Sequence, residues 1–247
     1  MEEAIESIIL LVVLVTFAVV AYAYVLPLSY AQLRGAEVGS AIGVMLTFAD
    51  QTARLVEGDS TGPVDFSFPY GIFDLAADGT VQVTANDIVL YNGTHQVLRY
   101  RTDIGGYPNA YVADRGSSPN STFFGSVDAA SLVYHYTCPS SGSACNRGWS
   151  YVVADMRVAV SNVAAGGNST VHILVTQIEP VQVSLKRGPV QLMLQNVTVT
   201  TFTYGGGMIL TVTCGDASNG SALSSNLPEI SGQVQVALEV VTLSLQF

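Results

Sequence analysis

Residues 8–28 read IILLVVLVTFAVVAYAYVLPL, and no charged side chain occurs between Glu6 and Arg34. A run of about 20 apolar residues is what a helix needs to span a bilayer, so this segment is a membrane-competent helix. Its flank is acidic, with Glu2, Glu3 and Glu6 ahead of it and no Lys or Arg before Arg34. A secretory signal peptide would carry a basic n-region, a shorter apolar stretch and a small-residue cleavage site. An anchor with a cytoplasmic N-terminus carries positive charge at that end. The acidic start fits neither pattern, leaving two readings: a basic leader already removed, or an unusual topology.

Downstream the apolar residues become periodic. Val38, Ile42, Met45, Leu46, Ala49, Ala53 and Val56 recur at offsets of three and four, one apolar helical stripe, while Glu37, Asp50, Arg54 and Glu57 take other faces. Gly58 is a natural C-terminal cap. The pattern predicts one helix over residues 5–57, roughly 80 Å long at 1.5 Å per residue. Pro27 removes a backbone donor inside it, so a kink or local loosening is expected there. Ala31, Gly35, Gly39 and Gly43 form a ladder of small residues at a spacing of four. Such a ladder lets helix backbones approach closely; chance in a glycine-rich chain is the other reading.

After Gly58 the pattern becomes β, and the boundary is placed there: residues 1–57 a filament-core or transmembrane helix, residues 58–247 a head. Residues 87–101, DIVLYNGTHQVLRYR, hold two β-prone runs around Asn92-Gly93, a hairpin signal. Further β-prone runs lie at 131–136, 150–160, 170–177, 181–185, 190–204 and 208–214. Near the C-terminus Val234, Val236, Leu238 and Val240 alternate with polar or small residues, and the apolar parity then shifts to Val241, Leu243, Leu245 and Phe247. A β-bulge produces such a shift. The fold class expected is α+β: a long N-terminal hydrophobic helix followed by an antiparallel, immunoglobulin-like sandwich.

The 247 residues are 49% hydrophobic and only 11% charged, with a formal net charge of −10. One lysine, Lys186, and eight arginines cannot neutralise a phosphate backbone, so nucleic acid is not an expected partner. Of three cysteines, Cys138 and Cys145 bracket the short loop PSSGSA, whose closure by a disulfide is easy in an oxidising compartment. Zinc is the alternative reading, but the spacing matches no common motif. Cys214 is then a buried free thiol. Five Asn-x-Ser/Thr sequons occur, at Asn92, Asn120, Asn168, Asn196 and Asn219, all after Gly58. Chance would give about two. N-linked glycans are thus expected, with no other cofactor or metal; accidental sequons in a Ser/Thr-rich chain are the alternative.

Catalytic patterns fail on context. Residues 58–63, GDSTGP, resemble the nucleophile segment of trypsin-like proteases and satisfy G-x-S-x-G around Ser60. A trypsin-like order puts His and Asp before the serine, whereas His95, His135 and His172 all follow it. A nucleophile elbow needs a strand before and a helix after the serine, the reverse of the arrangement here. Gly205-Gly206-Gly207 lacks the lysine and helix of a phosphate loop. The expectation is a non-enzymatic protein.

An acidic N-terminus leading into a long apolar helix, continued by an amphipathic half and joined to a C-terminal β head, resembles mature archaeal type IV pilins and archaellins, the class III signal peptide superfamily. The resemblance covers residues 1–57. It implies a leader removed by a prepilin peptidase, passage from the membrane into an extracellular helical filament through an assembly machinery, and a homopolymer cored by the N-terminal helices. It also implies a role for Glu6, the counterpart of a glutamate that meets a neighbour's N-terminal amine; Glu2 and Glu3 crowd the same end, a departure from the pattern. The function implied is a pilus subunit with a glycosylated head for surface adhesion. The alternatives are an archaellin of a motility filament and a monomeric membrane-anchored binding module.

Overall fold

In the computed structural model one helix runs without a break from Glu2 to Val56: α1 (Glu2–Val20), a π-helical turn (Ala21–Val25) and α2 (Leu26–Val56). The turn is the local answer to Pro27, which has no N–H for the Ala23 carbonyl and whose ring crowds it; widening the helix by one residue accommodates both. The helix therefore loosens where expected without ending. It closes at Gly58 (φ +89°), where the Asp59 N–H donates to Arg54 O (2.9 Å) and the Gly58 N–H to Leu55 O (3.2 Å). These are the two bonds of a Schellman cap, and the left-handed φ suits glycine. The structure describes residues 2–103, 112–116, 123–124, 131–138, 146–165, 168–179, 188–215 and 222–246.

Thirteen described strands follow: β1 (Val64–Asp65), β2 (Ile72–Ala85), β3 (Ile88–Thr102), β4 (Val112–Arg115), β5 (Phe123–Phe124), β6 (Ser131–Thr137), β7 (Ser150–Met156), β8 (Val158–Ala165), β9 (Asn168–Ile178), β10 (Pro189–Tyr204), β11 (Leu210–Gly215), β12 (Ala222–Asn226) and β13 (Gln233–Gln246). They form two sheets, β1-β10-β13-β9-β8-β5 and β12-β11-β2-β3-β7-β6-β4. The architecture is α+β, a long helix followed by a β head, as the sequence predicts. Most pairings are antiparallel, but β13 runs parallel to β9 and β5 parallel to β8. The first of these arises because β13 inserts between β9 and β10, strands consecutive among those described. The β-prone run at 181–185 lies outside the described residues.

Two expected local features are corrected. The β2–β3 hairpin turns at Asn86-Asp87, both left-handed (φ 46° and 65°), and not at Asn92-Gly93, which lies inside β3 with Asn92 opposite Gln82. The tight type I′ turn needs positive φ at both central residues, which Asn and Asp tolerate. Asn86 is further fixed by its amide, which donates to Gly207 O (3.1 Å) and accepts from the Ile209 N–H (2.9 Å). Gly93 serves instead as a close approach, since a Cβ there would lie 2.2 Å from the Tyr91 hydroxyl.

The parity shift in β13 is likewise no bulge of that strand. Its register with β9 is unbroken from Gln233 to Leu243, and the irregularity lies in its other neighbour, β10, between Leu194 and Asn196. The buried face itself changes. Val234, Val236 and Leu238 enter one core with Val171, Ile173, Val83 and Leu210, whereas Val241, Leu243 and Leu245 enter a second core with Phe66, Phe73, Leu98 and Tyr100. Side chains an odd number of positions apart on an unbroken strand point to opposite faces. β2 makes the same exchange the other way: Phe73 and Val81 share parity but belong to different cores, because a bulge between Ala77 and Thr80, with Gly79 at φ +109°, turns the strand over.

The second core contains the helix. Val38, Ala41, Met45, Phe48 and Ala49 are fully buried there among Phe66, Phe68, Phe73 and Tyr100, and α2 packs on β6, β7 and β10. The core of the head therefore runs across Gly58 into α2. A chain shortened to begin near Gln32 is expected to stay soluble, β-rich and cooperatively folded. One beginning at Asp59 is expected to lose its near-ultraviolet circular dichroism and unfold without a sharp transition. Equal urea midpoints for the two would contradict this. Phe48→Ala in the longer fragment is expected to cost about 3–5 kcal/mol.

Candidate functional site

Beyond its root the helix packs on none of the described residues of the head. From Ile8 to Leu33 its large apolar side chains are exposed on every face, Phe17 and Tyr22 by 71% and 76%. The helix is long and apolar enough to cross a membrane, with a mean hydropathy of 2.8 in its most apolar window. Such a surface must be buried in lipid or in other helices. Glu6 shares one face with Ile9, Leu10, Val13 and Phe17, so its carboxylate heads an apolar stripe.

At the other end of this exposed stretch stands Glu37, which periodicity assigned to a polar face. It is buried. Its Oε1 accepts three hydrogen bonds, from the N–H groups of Tyr70 and Gly71 (3.0 Å each) and the Tyr100 hydroxyl (2.9 Å), while Oε2 is buried with no hydrogen-bond partner. Burial and then the Glu37 carboxylate push the Tyr100 phenol well above its usual range, so it remains a donor. A Cβ on Gly71 would lie 2.0 Å from the Tyr100 ring, so glycine is what lets the two approach. The helix thus leaves the head at a point fixed by hydrogen bonds to backbone. The missed signal is spacing: Glu37 lies one helical turn before Ala41 and two before Met45, both core residues.

Gly35, Gly39 and Gly43 point away from the head, with no atom within 4 Å of a Cβ built on any of them. Ser40 and Thr47 on the same side donate back to Ala36 O (3.1 Å) and Gly43 O (3.0 Å), so the hydroxyls of this smooth face are already satisfied. The fourth ladder residue, Ala31, is helical, but its side chain lies outside the described residues.

Polar clusters in the head are structural in geometry. His95 Nε2 donates to Asp155 Oδ1 and Arg157 Nε to Asp155 Oδ2, each at 2.6 Å and all three buried. Burial alone would raise the Asp155 carboxyl; His95 and Arg157 outweigh it and hold it at about 2. His95 is raised in turn, because Asp155 outweighs the burial that would lower it. Burial pushes the nearby Cys214 thiol up to about 11, so it stays a neutral, weak nucleophile. His135 is held by Asp114 (2.8 Å). Ser60 is exposed in the turn after the helix, and no described hydrogen bond joins it to a histidine. A groove of about 440 Å³ where α2 ends holds Glu57, His172 and Glu239 above Val56, Leu174 and Val199. No group of three metal-ligating side chains occurs among the described residues.

Cys138 is disulfide-bonded and Cys214 is a free buried thiol; Cys145 lies outside the described residues. Asn92, Asn168 and Asn196 are exposed on strands β3, β9 and β10, while Asn120 and Asn219 lie outside the described residues. Against family models, curated proteins and solved structures alike, the chain finds no match.

Glu37→Ala removes the shared acceptor of three donors, the Gly71 N–H and Tyr100 hydroxyl among them buried, and is expected to destabilise the head by about 3 kcal/mol, whereas Glu37→Gln keeps an acceptor and is expected to cost far less. Urea unfolding of both variants checks this. The buried triad sets a pH window. The Asp155 carboxyl is lowered on folding, so its contribution is full above an unfolded value of about 3.9 and is lost as pH falls toward 2. The His95 imidazole is raised, so its contribution is full below about 6.5 and is lost as pH climbs through its folded value. The urea midpoint is therefore expected to be highest between about pH 4 and 6.5, and Asp155→Asn to flatten that profile.

Proposed function

We propose that this chain is a structural subunit of an extracellular helical filament, entering the filament from the membrane and polymerising through its N-terminal helix, with the β head outside, glycosylated and available for adhesion. One observation carries the reading: the helix is rooted in the head core through Val38 to Ala49 and by Glu37, yet the large apolar side chains from Ile8 to Leu33 are uncovered. Many copies packed side by side would bury that surface without lipid. The resemblance to archaeal type IV pilins supports the same arrangement, with Glu6 meeting a neighbour's N-terminal amine and the leader removed by a prepilin peptidase.

A single membrane anchor is the second reading, favoured by the hydropathy alone. Length favours assembly. The uncharged residues 7–33 extend roughly 40 Å at 1.5 Å per residue, against a hydrocarbon core of about 30 Å. The open glycine face adds to this, since close helix approach brings a lone anchor no gain.

Gly39→Leu separates the two. With nothing near a Cβ at Gly39 in the single chain, the added bulk leaves the head untouched, while it forces neighbouring helices apart. Electron microscopy of material from the cell surface is expected to show filaments for the parent chain and none for the variant, with unchanged head circular dichroism. Parent chains that stay single in detergent, or variant filaments of normal appearance, would refute assembly through this face.

A further inference from the structure

Among the described strands, two long stretches in the head have a neighbour on one side only. β10 pairs with β1 at Pro189 and Val190, and residues 191–204 pair with β13 alone among the described strands. β3 pairs with β7 from Val97 to Thr102, and the backbone of residues 88–96 pairs with β2 alone among the described strands, while its side chains reach Asp155 of β7 through His95 and Gln177 of β9 through the Tyr91 hydroxyl. An open edge presents unpaired N–H and C=O groups, a template on which another chain can add a strand. Proteins usually defend such edges with lysine, proline or brevity. Residues 191–204, QLMLQNVTVTTFTY, contain no charge and no proline, and they are rich in the β-branched and aromatic residues that strands favour. Residues 88–96 are likewise uncharged apart from what His95 carries, and that side chain is buried on Asp155.

Each of these edges carries a sequon in its middle. Asn92-Gly93-Thr94 sits within 88–96 and Asn196-Val197-Thr198 within 191–204, with both asparagines and both threonines exposed. Asn196 Nδ2 donates to the hydroxyl of its own Thr198 (3.3 Å). The third described sequon makes the contrast: Asn168 is paired on both sides, with Ala165 and with Gln233. We propose that Asn92 and Asn196 carry N-linked glycans that close these two sheet edges against strand addition by second copies of the chain.

The inference rests on the exported, glycosylated part of the function proposed above. In the transfer, the amide nitrogen of Asn bonds to the anomeric carbon of an oligosaccharide donor carried on a lipid phosphate. The bond from that carbon to the phosphate oxygen breaks, the lipid phosphate departs as the anion, and the amide gives up one proton. Side chains leave a strand perpendicular to the sheet, so a branched, hydrated chain rooted in the middle of an edge strand fills the space on its face beside the edge, across which a second copy has to approach to pair about 4.8 Å away. The partner excluded is a second copy. The chain carries a net charge of −10, and within the head these uncharged edges let two copies pair without setting charge against charge. Antiparallel pairing of two β10 edges about Val197 and Thr198 sets no charge against another.

The test uses the full chain, expressed in cells that transfer oligosaccharide to exported Asn-x-Ser/Thr and purified in detergent micelles. Thr94→Ser with Thr198→Ser keeps both sequons; Thr94→Ala with Thr198→Ala removes them. Peptide mass analysis is expected to find glycan on Asn92 and Asn196 in the parent and the serine pair, and none in the alanine pair. The alanine pair is expected to be larger by light scattering, with amide exchange in 191–204 and 88–96 slowed about tenfold by intermolecular pairing while β13 exchanges as in the parent. Bare asparagines in the parent, or an alanine pair with the parent's size and edge exchange, would overturn the inference. Filament formation is scored separately. Filaments with bare asparagines would sink this inference and leave the assembly reading standing; glycosylated single chains whose alanine pair associates would do the reverse.

Discussion

One helix is asked to satisfy two incompatible environments, and the structure resolves the conflict along its length. Val38, Ala41, Met45, Phe48 and Ala49 are removed from water by the β head, so α2 is as much a part of the head core as any strand. Covalent continuity then carries the residues ahead of Leu33 out of the head as a rigid apolar rod. Rigidity follows from the unbroken backbone ladder, which survives Pro27 by widening into a π turn. The direction of the rod is set where it leaves, by a buried carboxylate that three donors hold. A buried carboxyl group is costly unless hydrogen-bonded, and Glu37 is held at Oε1 by main-chain N–H groups that cannot swing away.

The head accommodates a helix because its strands serve two cores in succession. Sheet-on-sheet packing fills one core with Val, Ile and Leu from both sheets, and the helix fills the other with four aromatic rings around it. A strand crossing between them has to reverse its buried face. β13 does so by changing its apolar parity, and β2 keeps its parity and inserts a bulge. The two devices are physically equivalent, because alternation is fixed at two residues and only an extra residue or a new pattern can break it. Insertion of β13 between β9 and β10 ties the C-terminal strand into both cores.

Low charge shapes the rest. Two ionised clusters hold the head: the buried Asp155 with His95 and Arg157, and the half-buried Asp74 with Arg99 through two hydrogen bonds (3.0 and 2.9 Å). Arg99 also lies over the Tyr151 ring at 5.9 Å, beside the stacked rings of Tyr134 and Tyr136. What the surface lacks in charge it holds in Ser, Thr and Asn. That composition leaves strand edges without their usual electrostatic guard, which is why the placing of two sequons on them carries meaning.

The helix and its end, the β class of the head, the exposed state of the apolar stretch and the free, buried state of Cys214 are all legible in the order of residues. Each follows from a local cause: composition over a span, a period of 3.6 or 2, a glycine at a cap. The apolar stripe of α2 could be read too, but not what it packs against, because one amphipathic face looks the same whether a neighbouring copy or its own head covers it. Glu37 shows the same limit, since a carboxylate beside a core stripe is solvated or buried according to whether backbone donors arrive from residues more than thirty positions away. Asn92-Gly93 carried the stronger hairpin signal, yet the turn formed at Asn86-Asp87, where ties to Gly207 and Ile209 hold the loop. The parity shift of β13 was visible in the sequence, and only the two-core arrangement gave it its meaning. Periodicity records which side of an element avoids water, whereas the identity of what lies on that side is settled by contacts distant along the chain.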